Sequence, residues 1–196
     1  ARQIGIIPLS FVYLKATEGK SFKDDKYLKH CRDARRYGIP HGAYHFYNHR
    51  MATVREQVDN FLSLVTVEEG DLLPVLDVEF SGISVDSLSC WLTAVERKLG
   101  VRPIIYANEH HSRAYHTHPA LRRHLLWHAR YGTRPTRAVN IHQYTEHGRT
   151  PAIPGQDVDL DTLAPPTTLS DIRSSRSSFS ANAMKAAKPS GKEIQE

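Results

Sequence analysis

Short apolar runs alternate along this chain with stretches whose apolar residues recur every three or four positions. The run Phe11 to Thr17 predicts a strand. A predicted helix follows, opening near Asp24 and closing at Gly38, with Tyr27, Cys31 and Ala34 on its buried face. His41 to Tyr47 predicts the next strand. Thr53 and Glu56 have the spacing of a capping box, and Val54, Val58, Phe61, Leu62 and Val65 continue at helical spacing. Leu73 to Glu79 predicts a third strand. Leu88, Trp91, Leu92, Val95 and Leu99 predict a third helix that Gly100 stops. Further strands are predicted at Pro103 to Asn108, Leu125 to Arg130, Val139 to Thr145 and Asp157 to Asp161, and these later connections look less helical.

Repeated strand–helix units place the chain in the α/β class, as a parallel sheet or a (β/α) barrel. Seven strand candidates are present where a closed barrel wants eight. From about Ala164 the composition turns to Ser, Ala, Pro and Lys with few large apolar residues. The expectation is one folded domain over residues 1–163 and a disordered tail over 164–196.

Composition narrows the picture modestly. Apolar residues make up 40% of the 196, enough for a core. No run of about 20 apolar residues exists, so no membrane insertion is expected. Ala1 to Ser10 do not read as a secretory signal peptide. The formal charge of +5 favours anionic surfaces such as nucleic acid or bacterial wall polymer. Lys and Arg are scattered rather than striped, which argues against nucleic acid. Cys31 and Cys90 each fall in a helical stretch and are expected as small buried hydrophobes.

Asp77 and Glu79 are the sharpest chemical feature. The strand period of two puts them on one face, at the C-terminal end of an otherwise apolar strand. Barrel enzymes place catalytic groups there. Neighbouring carboxylates repel, so one can hold its proton near neutral pH, and an acid beside a carboxylate suits glycoside hydrolysis. A solvated strand end or a structural ion pair is the plainer reading. Asp157, Asp159 and Asp161 form a second acidic cluster on one face if extended, without the spacing of a calcium loop. Twelve histidines, among them His110, His111, His116, His118, His124 and His128, show no zinc-site spacing, so no metal is expected. Tyr44, Phe46, Tyr106, Trp127, Tyr131 and Tyr144 recur near strand ends, where apolar rings with polar tips suit sugars.

The ordered segments FVYLKATEGKSFKD, GIPHGAYHFY, LLPVLDVE, RPIIYAN, LLWHARYG, IHQYT and GQDVDLD resemble glycoside hydrolase family 25, the muramidase lysozymes. The likeness runs from about Phe11 to Leu163. It implies an irregular, TIM-like (β/α) barrel that cuts the β-1,4 bond between N-acetylmuramic acid and N-acetylglucosamine in peptidoglycan. It implies Glu79 as general acid, Asp77 and Asp159 as assisting carboxylates, and Tyr44, Tyr106, Trp127 and Tyr144 as cleft-lining aromatics. No cofactor is implied, and a monomer acting at a bacterial wall outside the cytoplasm is expected. Family members begin with an Asp-bearing strand, in a motif like DVSxWQG, some two dozen residues before the segment matching Phe11. Only ten residues stand there in this sequence, none of them Asp. The expectation is therefore a barrel without its first strand and with an open seam between its first and last strands. The competing readings are a catalytically impaired remnant that only binds wall glycan, and a nucleic-acid binder resting on charge.

Overall fold

The computed structural model describes residues 9–149 and 155–175. The fold is mixed α/β: one eight-stranded sheet, curled into a half-barrel, and four helices. The strands are β1 (Val12–Glu18), β2 (Phe22–Lys23), β3 (His41–Phe46), β4 (Val75–Val78), β5 (Ile104–Asn108), β6 (Leu126–Ala129), β7 (Ile141–Gly148) and β8 (Val158–Leu163). Their order across the sheet is β2-β1-β3-β4-β5-β6-β7-β8. All neighbours from β1 to β7 run parallel, while β2 and β8 turn back antiparallel at the two ends. The curl is steep. The Tyr13 ring on β1 meets the Trp127 ring on β6 at 4.8 Å, although three strands lie between. In a flat sheet those strands would stand about 19 Å apart.

All seven strands predicted from the apolar runs are present. The eighth, β2, is a two-residue piece with both residues exposed, too short to leave a pattern. Helices α1 (Tyr27–Arg36), α2 (Val54–Leu62) and α3 (Val85–Leu99) stand where periodicity put them. The capping box of α2 is formed: Glu56 N–H donates to Thr53 Oγ1 at 3.3 Å, and Thr53 N–H to Glu56 Oε2 at 2.9 Å. Gly100 ends α3 at φ +72°, a conformation only glycine adopts without strain. A fourth helix, α4 (Glu109–Thr117), was not foreseen. Its sequence EHHSRAYHT has almost no apolar stripe, and it starts because Asn108 Oδ1 accepts from His111 N–H at 3.1 Å.

Strand alternation divides the core into two layers. Ala16, Ala43, Leu76, Val78, Ile105 and Ala107 face outward against the helices, where Phe61, Trp91, Leu92 and Val95 are buried. Val75, Ile104, Tyr106, Trp127 and Ile141 face the concave side. Gly42 is needed on β3, because a Cβ there would sit 2.5 Å from the Tyr13 ring and 2.8 Å from Leu72 Cβ.

Two expectations need correction. Cys31 is buried, but Cys90 is exposed, one position from Trp91 and rotated off the buried stripe of α3. The segment expected to begin a disordered tail at Ala164 is ordered to residue 175. It forms a 3-10 turn, Leu169–Ile172, that buries Ile172 completely. Leu73 N–H donates to Ile172 O at 2.8 Å and Ser174 N–H to Asp71 O at 2.7 Å, so the segment closes the N-terminal end of the concave core. Ile172 and Leu169 dock it on the concave core, which a composition average does not register. Residues 176–196 lie outside the described residues. Among the described residues no helix is long and apolar enough to cross a membrane.

Candidate active site

The C-terminal ends of the parallel strands gather the acidic residues. Asp77, on the concave face of β4, is buried beside Tyr106 of β5 and Phe46 of β3 in the strand register. Its Oδ1 has no hydrogen-bond partner among the described residues. Burial, and then the charge of Glu79, push its carboxyl well above the usual range. Glu79 follows directly after β4 at the solvent edge. Its carboxyl is raised by partial burial and then by Asp159, against a downward pull from Lys15. Asp159, on β8, is raised by partial burial and then by Glu146 of β7. Three carboxyl groups, on β4, just after β4 and on β8, thus share one field, and each is raised from its ordinary range.

A tyrosine cluster borders them. Tyr106 and Tyr131 hydroxyls both donate to Gln143 Oε1 at 2.9 Å. Tyr131 is pushed up to about 12 by partial burial and then by Glu146 and Asp159. Tyr44, half-buried on β3, is raised by burial and then by Asp77, Asp159 and Glu79. Tyr44 and Tyr106 therefore stand beside the carboxylates. Trp127 is on the same concave face, yet it is buried. Its ring packs between Tyr13 and Tyr106, and its Nε1 donates to Asp161 at 2.8 Å. Trp127 thus packs within the concave core and offers no open ring face. Tyr144 lies at a register shift of β7, exposed, with its ring against His142 and outside the tyrosine cluster. Its neighbour Gln143 takes the inward position.

The acidic triplet separates into three roles. Asp157 is exposed and ion-paired with Arg149 at 2.7 Å and His147 at 3.0 Å. Asp159 joins the site, and Asp161 holds Trp127. The histidines disperse too. His124 Nδ1 bonds Pro103 O at 2.8 Å, and His128 lies 3.5 Å from Glu109. The side chain of His116 lies outside the described residues. Among the described residues no group of three or more His, Cys, Asp or Glu is arranged to hold a metal ion.

Three contributors escaped the sequence reading: Lys15, Gln143 and Glu146. Strand alternation marks Gln143 beside Ile141, and Lys15 beside Tyr13, as inward positions. Nothing in the pattern identifies what they meet.

Residues 2–153 match the family described as Glycosyl hydrolases family 25, and the chain belongs to that family. The uncharacterized protein YegX of Escherichia coli is 37% identical over 120 residues, covering 58% of this chain and 42% of that protein. Lysozyme M1 of Streptomyces globisporus is 33% identical over 94 residues, 43% of this chain and 32% of that protein. The chain thus spans less than half the length of these relatives. Among solved structures, a family 25 glycosyl hydrolase from Bacillus anthracis superposes with TM-score 0.69 at 26% identity, covering 79% of this chain and 77% of that one. A bacterial lysozyme from Streptomyces coelicolor superposes equally, TM-score 0.69 at 24% identity, over 83% and 84% of the two chains, and shares the fold.

Proposed function

We propose that this chain is a peptidoglycan hydrolase of the muramidase type, cutting the β-1,4 bond between N-acetylmuramic acid and N-acetylglucosamine. The observation that carries the reading is the convergence of Asp77, Glu79 and Asp159, all raised, beside Tyr44 and Tyr106 at one end of a parallel sheet. Membership of a glycoside hydrolase family supports it. In this reading the half-barrel is the greater part of an irregular (β/α) barrel with its cleft at the usual end.

Glu79, its carboxyl raised by partial burial and then by Asp159, acts as the acid and donates its proton to the leaving glycosidic oxygen. The C–O bond breaks and positive charge develops at the anomeric carbon. Asp77 and Asp159 stabilise that charge and orient the substrate's acetamido group, whose carbonyl oxygen acts as internal nucleophile. Glu79, now a carboxylate, takes a proton from water as the water adds, which restores the starting state. The tyrosine hydroxyls serve sugar hydroxyls. The implied place of action is a bacterial wall outside the cytoplasm, with bacteriolysis as outcome, by a monomer without metal or cofactor.

The test is release of reducing ends from purified peptidoglycan by the chain and by Glu79→Gln. The reading expects turnover that falls about 100-fold or more in the variant, with an unchanged melting curve. Residual activity near that of the unsubstituted chain would refute the assignment of Glu79. Retention of glycan without any reducing-end release by the unsubstituted chain would identify a binding remnant instead.

A further inference from the structure

Lys15 stands on the inner face of β1, in register with Tyr44 of β3. Its ammonium donates to Glu18 Oε2 at 2.8 Å. It lies 5.2 Å from the centroid of the Phe22 ring and 5.1 Å from that of Phe46. Phe46 is the strand neighbour of Asp77, and Tyr44 is the strand neighbour of Lys15 itself. Two rings and a carboxylate therefore fix a long, ordinarily mobile side chain in one place. Both ring faces attract the ammonium and favour that position.

Among the described residues, the other charges that act on Asp77 and Glu79 are negative. Asp77 faces Glu79 from beyond its own strand, Asp159 from β8 and Glu18 from β1. Glu79 faces Asp159 from β8 and Glu146 from β7. The Tyr44 and Tyr106 hydroxyls, beside both, are uncharged at neutral pH. Lys15 is the cation that opposes this field at both Asp77 and Glu79. Its pull on Asp77 exceeds the push from its own partner Glu18.

Resting on the muramidase reading, we propose that Lys15 is a positioning residue of this site: a clamped positive charge that keeps the Asp77–Glu79–Asp159 group only partly protonated and so sets the pH window of hydrolysis. Acid catalysis by Glu79 needs one proton in the group and charge on its neighbours. Three crowded carboxyls without a counter-charge would hold more protons at neutral pH than the mechanism can use. Clamping by Phe22 and Phe46 distinguishes this role from substrate capture, which needs an ammonium free to swing.

The experiment measures the pH profile of kcat/KM for reducing-end release, and in parallel the carboxyl carbon-13 titrations of Asp77 and Glu79 by NMR. It compares the unsubstituted chain with Lys15→Met, Lys15→Arg and Glu18→Gln. Lys15→Met is expected to move the acidic limb, and both carboxyl titrations, upward by about one pH unit. Lys15→Arg restores them, and Glu18→Gln moves the Asp77 titration slightly downward. Unmoved titrations in Lys15→Met, or a loss of activity equal at every pH, would overturn the proposal. If Lys15→Met does not fold, Glu18→Gln decides, since an unmoved or upward Asp77 titration contradicts it. Absence of turnover in the unsubstituted chain refutes the hydrolase reading and the proposed pH window with it, whereas unmoved carboxyl titrations in an active chain refute Lys15 alone.

Discussion

Asp161→Asn is expected to stabilise the fold at alkaline pH and to do almost nothing at acid pH. Asp161 lies on the concave side of β8, where burial, and to a lesser degree the charge of Asp159, raise its carboxyl from 3.8 to about 7. The hydrogen bond from Trp127 Nε1 at 2.8 Å offsets only part of that. Between these two values the folded chain holds a proton that the unfolded chain has released, so stability falls as pH rises through this window. A shift of about three units corresponds to roughly 4 kcal/mol once pH exceeds 7, and partial exposure of Asp161 reduces this to about 2–4 kcal/mol. Asparagine copies the shape of the protonated acid, and its Oδ1 still accepts from Trp127. The substitution therefore removes the ionisation and keeps the contact. Urea unfolding at pH 4 and pH 8 reads the difference. The midpoint should agree with the parent at pH 4 and rise by about 1 M or more at pH 8. An equal rise at both pH values, or none at pH 8, would refute the assignment of a buried proton to Asp161.

Two further expectations concern the fold that holds the site. His45 lies fully buried between Thr17 Oγ1 at 2.7 Å and Gln57 Oε1 at 3.2 Å, its ring stacked on Trp91. Burial lowers it from 6.5 to about 4, so here the unfolded chain binds the extra proton and stability falls as pH drops through that window, by about 3 kcal/mol. Its imidazole carbon signals should stay those of the neutral ring down to about pH 5; titration near pH 6.5 in the folded chain would contradict this. Ile172→Ala should cost about 2–5 kcal/mol in chemical unfolding, because Ile172 is completely buried and fastens the segment after β8 against Leu72 and Leu73. A cost below 0.5 kcal/mol would show that this segment does not support the core.

Much of the architecture was legible in the chain. The apolar runs located seven strands and the periodicity three helices, because burial of one face forces those periods wherever a sheet packs against helices. The pair Asp77 and Glu79 was legible for the same reason: two polar residues spaced by two at the end of an apolar strand must share a face. Helix α4 was not, because it begins on a side-chain cap rather than on an apolar stripe. The docking of Ile172 was hidden inside a polar segment.

What only the tertiary structure decided is which distant strands meet. Periodicity assigns a residue to a face but says nothing about curvature, and it is the curl of the sheet that brings β1 against β6 and β8 toward β4. That curl buries Trp127 against Tyr13, brings Tyr106 and Tyr131 together on Gln143, and gives Asp161 its bond to Trp127 while Asp159 joins the field of Glu79. It also sets Lys15 among the carboxylates. Local sequence determines secondary structure and face through short-range sterics and burial, whereas the charge environment of each carboxyl is a sum over groups far apart in the chain, and that sum exists only once the sheet has closed around them.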